Sequence, residues 1–184
     1  METLNPKSRS DVFGKKINRD TWPILVFGIP WLTILLGSMT PMLPIFAPAP
    51  LVPPLGYLAL LTWRLSRPGL LPLWAGFPLG LFDDLLSGQP LGSAIVLFSV
   101  TLITLDLIEL RFPWRGFWQD WLVASMFLGL YVPLAALFSG GSLGLLELTM
   151  LAPQLLLSVI LFPIIARLVA LLDRLRLLRV RRIG

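Results

Sequence analysis

The chain is a series of long apolar stretches separated by short polar segments. Each stretch approaches the roughly 20 residues that a helix needs to cross the hydrocarbon of a bilayer. Six such stretches can be marked, at about 22–40, 45–63, 69–87, 91–109, 119–139 and 146–168. Only helices and closed barrels satisfy their backbone groups in lipid. The pattern therefore predicts an all-α polytopic membrane protein with about six transmembrane helices.

The second stretch has the weakest helical pattern. Five prolines fall within 44–54, and proline removes a backbone donor and restricts the residue before it. We expect the intact helix to be "LGYLALLTW" (55–63), which is too short to span a bilayer alone. Whether 41–54 complete a full span is left open, and so is a count of five spans.

The basic residues favour six spans over five. All fifteen Lys and Arg fall within four segments, 7–19, 64–67, 111–115 and 167–182. With six spans these segments share one side of the membrane, which the positive-inside rule makes the cytoplasm. Most tryptophans, Trp63 among them, fall near the same boundaries, where indoles prefer the headgroups. We therefore expect both termini to be cytoplasmic.

This topology divides the chain into three parts. Residues 1–21 form a cytoplasmic basic tail, 22–168 the transmembrane helical domain and 169–184 a cytoplasmic basic amphipathic tail. Anionic lipids are the expected partner of the second tail, because each basic residue near the surface contributes about 1 kcal/mol. The stretch 23–39 imitates a signal peptide, but a retained first span is favoured because further apolar stretches follow it.

Composition excludes several classes of chemistry. The chain is 56% hydrophobic and 14% charged, and it contains no cysteine and no histidine. Its mean hydropathy is +0.83, which is typical of membrane proteins. Disulfides, thiol chemistry and Cys or His metal ligands are thereby excluded. The net charge of +5 is explained by topology, not by nucleic acid. We expect no enzyme, no cofactor and no metal site.

Two adjacent carboxylates, Asp83 and Asp84, end the third apolar stretch. A carboxylate at the centre of a membrane helix costs about 2.5–3.5 kcal/mol, so the pair needs an explanation. Neighbours on a helix point about 100° apart and cannot both reach one water molecule, which argues against an aspartyl protease pair. A solvated helix end and a docking role stay open.

The residues around this pair predict a tight hairpin of spans three and four. Gly76 and Gly80 are four apart, a spacing that lets another helix backbone approach closely, although nearby prolines could instead kink the span. In "LSGQPLGS" (86–93), Gly88 can take a positive φ and Pro90 can start the next helix. We further expect backbone N–H groups around Gly92 and Ser93 to bind the Asp84 carboxylate.

A second acidic pair, Asp106 and Glu109, lies near the cytoplasmic end of span four. Ion pairing is favoured over a proton pathway, because arginines lie within reach, at positions 64, 67, 111 and 115. Gln154 is the best polar group near the middle of a span, and a single amide makes a weak substrate site.

The segment 80–92, "GLFDDLLSGQPLG", together with 53–77 before it, resembles the rod shape-determining membrane protein MreD family. That family reads Gly-Leu-x-x-Asp-x-Leu-(Ser/Thr)-Gly and then x-x-Leu-Gly. The matching residues are Gly80, Leu81, Asp84, Leu86, Ser87, Gly88, Leu91 and Gly92. The family usually has an apolar residue where this chain has Asp83. The motif selects Asp84, whereas the helical wheel slightly favours Asp83. The specific part of the resemblance covers about 40 residues.

The resemblance implies a non-enzymatic scaffold subunit of the bacterial cell-wall elongation complex, in the inner membrane. Implied partners are an MreC-like bitopic protein, an MreB-like filament and the RodA–transpeptidase pair. The resemblance and the small-residue face of span three together give five candidate structural or partner-binding residues. They are Gly76, Gly80, Asp84, Gly88 and Gly92.

The family also resembles the membrane substrate-capture subunit of energy-coupling-factor transporters, which implies the same helical fold. The alternative function is therefore capture of a small, vitamin-like molecule. Such a site should carry polar and aromatic residues in the outer loops. Those loops are short here and hold almost none, which favours the scaffold.

Overall fold

The computed structural model describes residues 23–42, 52–112, 116–141 and 144–176. Within these ranges the chain forms six α helices, which correspond one to one to the six apolar stretches. They are α1 (Pro23–Ser38), α2 (Leu55–Ser66), α3 (Gly76–Ser87), α4 (Ser93–Arg111), α5 (Phe117–Phe138) and α6 (Leu145–Arg176). The all-α prediction is confirmed. The predictions for the tail 1–21, most of 41–54, Arg115 and the last eight residues of the second tail fall outside the described residues.

Three helices, α4, α5 and α6, are long and apolar enough to cross a membrane. Large apolar side chains are exposed on them, Leu107, Met126 and Ile160 among others, as expected for surfaces that face lipid. These features indicate a membrane protein. By contrast, α2 and α3 have 12 residues each, about 18 Å of helix against the roughly 30 Å of the hydrocarbon.

Helix α3 starts later than predicted. The apolar pattern begins at about 69, but the helix begins only at Gly76, after a 3-10 turn at Leu73–Ala75. Pro72 precedes that turn in an extended conformation, with ψ 153°. A proline donates no backbone hydrogen bond, so prolines at this point delay the α helix.

Successive helices pack as antiparallel pairs, α1 with α2, α3 with α4 and α5 with α6. The bundle therefore has two distinct ends. The aspartate end holds the last residues of α1, α3 and α5 and the first residues of α2, α4 and α6. The arginine end holds the opposite termini.

The short helix α2 lies at the centre of the bundle. Every residue from Gly56 to Arg64 is buried, and α2 contacts α1, α4, α5 and α6. Its tryptophan was expected at headgroup level, but Trp63 is fully buried and donates a hydrogen bond to Thr33 Oγ1 at 2.9 Å. A polar partner inside the bundle makes this burial of the indole N–H tolerable. A helix at the centre of a bundle need not span the bilayer, because the helices around it keep the backbone groups at its ends away from lipid.

Candidate functional site

The Asp84 carboxylate binds the N-terminus of α4. Oδ1 accepts hydrogen bonds from the Ser93 hydroxyl at 2.9 Å and the Ala94 N–H at 2.8 Å. Oδ2 accepts from the Gly92 N–H at 2.8 Å and the Ile95 N–H at 3.4 Å. The predicted contact is confirmed, except that Ser93 contributes its hydroxyl while its N–H bonds to the Pro90 carbonyl.

Electrostatics explains why the acid lies here. The last turn of α3 disfavours a carboxylate, whereas the first turn of α4 offers unpaired N–H groups and a positive dipole end. The connecting turn brings the two ends together through Gly88 at φ 69° and Gly92 at φ 105°, so the expected positive φ is confirmed. Pro90 does not start the helix, because α4 begins three residues later at Ser93.

The small-residue face of α3 packs against α4. A Cβ added to Gly80 would lie 2.5 Å from Ile95 Cα, and one added to Gly76 would lie 2.7 Å from Ser99 Cα. The predicted close packing of two helix backbones is therefore confirmed. Both glycines are buried in this contact, so any contribution to partner binding would act through the positions of α3 and α4.

A second close contact of helix backbones was not foreseen. A Cβ on Gly37 would lie 2.8 Å from the Gly56 nitrogen, and one on Gly56 would lie 2.2 Å from Ser38 Oγ. Both glycines lie at the aspartate end, and neither has a second glycine four residues away in the sequence. Isolated glycines carry no spacing signal, so sequence alone could not pair them.

Asp83 has a different environment from its neighbour. Its side chain is mostly buried, with 7% of the residue exposed, and within the described ranges it accepts no hydrogen bond of normal geometry. Ser38 Oγ lies near the carboxylate and also lacks a hydrogen bond of normal geometry. The two adjacent acids therefore differ: Asp84 accepts four hydrogen bonds from α4 and the turn before it, whereas Asp83 has only the Ser38 hydroxyl nearby.

Asp83 lines a cavity of about 740 Å³ at the aspartate end, which we call the Asp83 cavity. Its wall comes from α1, α2, α3, α5, α6 and the segment 52–54, and its rim includes the exposed loop residues Ser139 and Gly141. Gln154 also lines it, donating a hydrogen bond to the Val52 carbonyl at 2.8 Å. Residues from so many elements converge only through the tertiary fold, which is why sequence reasoning missed this cavity.

The arginine end contains the predicted ion pairs. Arg64, with 3% of its side chain exposed, pairs with Asp106 and lies 3.3 Å from Glu109 Oε2. Pairing of this acidic pair is therefore confirmed. The Nε and Nη1 groups of Arg64 are buried without a hydrogen-bond partner. A neighbouring cavity of about 550 Å³ is lined by Arg64, Glu109 and Asp120.

Arg67 pairs with a residue of α6 instead of the acidic pair. Its Nη2 lies 2.6 Å from Asp173 Oδ2, and Arg176 Nε lies 2.6 Å from Asp173 Oδ1. The guanidinium of Arg176 lies over the ring of Trp63, 5.5 Å from its centroid. This cluster ties the end of α6 to the central helix α2, and α6 continues from span six into the basic amphipathic tail as far as Arg176, as predicted.

In the described site, carboxylates Asp84, Asp106 and Asp173 are engaged by donors of the same chain. This arrangement can hold helices in register. Comparison with known proteins found no match: no family model, no curated protein and no solved structure is significantly similar to this chain. The MreD resemblance therefore rests on the motif residues.

Proposed function

We propose that this chain is a non-catalytic scaffold subunit of the bacterial cell-wall elongation complex, related to MreD and embedded by six spans in the inner membrane with both termini in the cytoplasm. The proposal is supported mainly by the positions of the motif residues, which lie together in one hairpin. Gly80, Asp84, Gly88 and Gly92 each shape the hairpin of α3 and α4. Such a motif specifies a rigid surface, which is what a scaffold needs.

The proposed partners are an MreC-like bitopic protein first, and the MreB-like filament and the RodA–transpeptidase pair through the assembled complex. A scaffold of this kind would offer its lipid-exposed helix faces to a partner's transmembrane helix. Apolar side chains on α4 supply such a face, for example Val96, Val100 and Ile103.

A second candidate function is supported by the Asp83 cavity. The expectation against substrate capture was drawn from short outer loops, but the cavity walls come mainly from helices, not loops. Its volume of about 740 Å³ lies within the range of small-molecule sites. Capture of a small molecule therefore stands beside the scaffold as the rival proposal.

Co-purification from native membranes separates the two functions. The chain would be tagged at its C-terminus, extracted in mild detergent, and its stoichiometric partners identified by mass spectrometry. The scaffold predicts an MreC-like bitopic protein, with reduced recovery for Asp84→Leu and unchanged recovery for Glu147→Gln. Recovery of a transport ATPase module, with no cell-wall protein, would contradict the scaffold and favour substrate capture.

A further inference from the structure

We propose that the Asp83 cavity binds a small organic cation carrying a protonated amine, with the Asp83 carboxylate as its counter-ion. The inference deepens the rival function of substrate capture and is independent of the scaffold function. Its starting point is the contrast between two neighbouring acids. Asp84 is 2% exposed and accepts hydrogen bonds from four donors, whereas Asp83, 7% exposed, has only the Ser38 hydroxyl near its carboxylate in the described ranges.

No basic residue of the described ranges forms an ion pair with Asp83. The basic residues of the described ranges lie toward the arginine end, at positions 64, 67, 111, 167, 174 and 176. The sequence segments that join helices at the aspartate end, 39–54, 88–92 and 139–144, contain no Lys or Arg. An ionised carboxylate that is removed from water needs a cation or several donors nearby. Within the described ranges no residue supplies this compensating charge, and a bound cation would provide it.

The groups around Asp83 suit an ammonium ion. Ser38 Oγ and Ser87 Oγ are buried without hydrogen-bond partners and line the same cavity, so they can accept from N–H groups. Tyr131 also lines the cavity and is held in place by stacking on Tyr57, with 3.8 Å between ring centroids. Aromatic rings attract organic cations in partly dry sites.

The size and lining of the cavity favour an organic cation over a bare metal ion. About 740 Å³ is far more room than a single ion fills. Hard cations such as Ca²⁺ need six or more oxygen ligands, and one carboxylate with two hydroxyls falls short of that. Pro53, Val132 and Leu151 contribute apolar wall that a hydrocarbon or aromatic portion of the ligand can contact.

Calorimetric titration of the purified full-length chain in detergent tests the proposal. Phenethylammonium chloride is the charged probe, and 2-phenylethanol is the neutral probe of similar size and shape. We expect saturable binding of the amine and at least about tenfold weaker binding of the alcohol, because the charge pair is made in a desolvated site. Asp83→Asn should weaken amine binding about tenfold or more, to the level of the alcohol.

Glu147→Gln is the matched control, since it removes another carboxylate near the aspartate end that does not line the cavity. Its amine affinity should equal that of the wild type. Ala136→Leu narrows the cavity without changing its charge and should also abolish amine binding. This variant therefore tests the proposal even if Asp83→Asn fails to fold. Equal binding of the amine and the alcohol, an undiminished affinity in Asp83→Asn, or no amine binding at all would overturn the proposal. None of these results bears on the recovery of cell-wall partners.

Discussion

At the scale of single residues, the hairpin depends on one carboxylate. Asp84→Leu leaves the Gly92 and Ala94 N–H groups without their acceptor, and the Ser93 hydroxyl keeps only Gln89 Oε1. Since an unpaired buried donor costs about 1–3 kcal/mol, we expect a loss of about 3 kcal/mol or more in the free energy of unfolding. Asp84→Asn keeps one oxygen but turns an amide NH₂ toward backbone donors, so its loss should be intermediate. Unfolding by SDS in mixed micelles, followed by tryptophan fluorescence, measures both.

Asp83→Asn is the matched control for this prediction, because it makes the same chemical change one residue away. Asp83 has no ion-pair partner in the described ranges, so a neutral amide there should leave stability unchanged or raise it. The same order, wild type, Asn, Leu at position 84, should appear as rod shape in a complementation assay. Equal null phenotypes for Asp84→Asn and Asp84→Leu, with partner binding intact, would instead point to a chemical role for the acid.

Arg64 gives a second prediction at this scale, because the two partners of its ion pair differ in their exposure to solvent. The Arg64 side chain is 3% exposed and has two nitrogens without hydrogen-bond partners, whereas the Asp106 side chain is 41% exposed. Arg64→Met removes the buried charge and leaves acids that water can reach, so stability should change by no more than about 1 kcal/mol. Replacing Asp106 and Glu109 together by Leu strands the buried cation and should cost about 3 kcal/mol. SDS unfolding of both variants tests this order, and the reverse order would contradict it.

At the scale of elements, the register of α3 on α4 depends on Gly80. A leucine there would force its Cβ to within 2.5 Å of Ile95 Cα, so the two backbones must separate. We expect Gly80→Leu to cost about 3 kcal/mol, at the upper end of overpacking. Gly28→Leu is the control, since a Cβ at Gly28 meets nothing within 4 Å. It should change stability by no more than about 0.5 kcal/mol.

Gly69 would be a poor control in this experiment. It has φ 77°, a conformation that strains any residue with a side chain, although the space around it is open. A stable Gly80→Leu protein that behaves like Gly28→Leu would show that α3 does not pack on α4 through this face.

Sequence reasoning succeeded at elements whose signals are local. The helix of α2 at Leu55, the positive φ of Gly88 and the Asp84 contact all follow from spacing within a few residues. It failed where partners are distant in the chain. The burial of Trp63, the contact of Gly37 with Gly56 and the convergence on Asp83 depend on how α1, α2 and α5 pack, and no local pattern encodes that packing.

At the scale of the whole molecule, the two ends differ in charge and hold different sites. Arg64, Arg67 and Arg176 meet acids at one end, and Asp83 and Asp84 lie at the other without a basic residue from the joining segments. In a six-span protein the positive-inside rule places the arginine end in the cytoplasm. The Asp83 cavity would then face the cell exterior.

Single cysteines test this orientation, because the chain contains no cysteine of its own. We expect Gln89→Cys and Ser139→Cys, both at the aspartate end, to react with a membrane-impermeant maleimide in intact cells or spheroplasts. Ser66→Cys and Gly116→Cys, at the arginine end, should react only after the membrane is permeabilised. Equal labelling of all four after permeabilisation is the control for accessibility. Labelling of Ser66→Cys in intact cells would refute the six-span orientation, and it would place the Asp83 cavity on the cytoplasmic side.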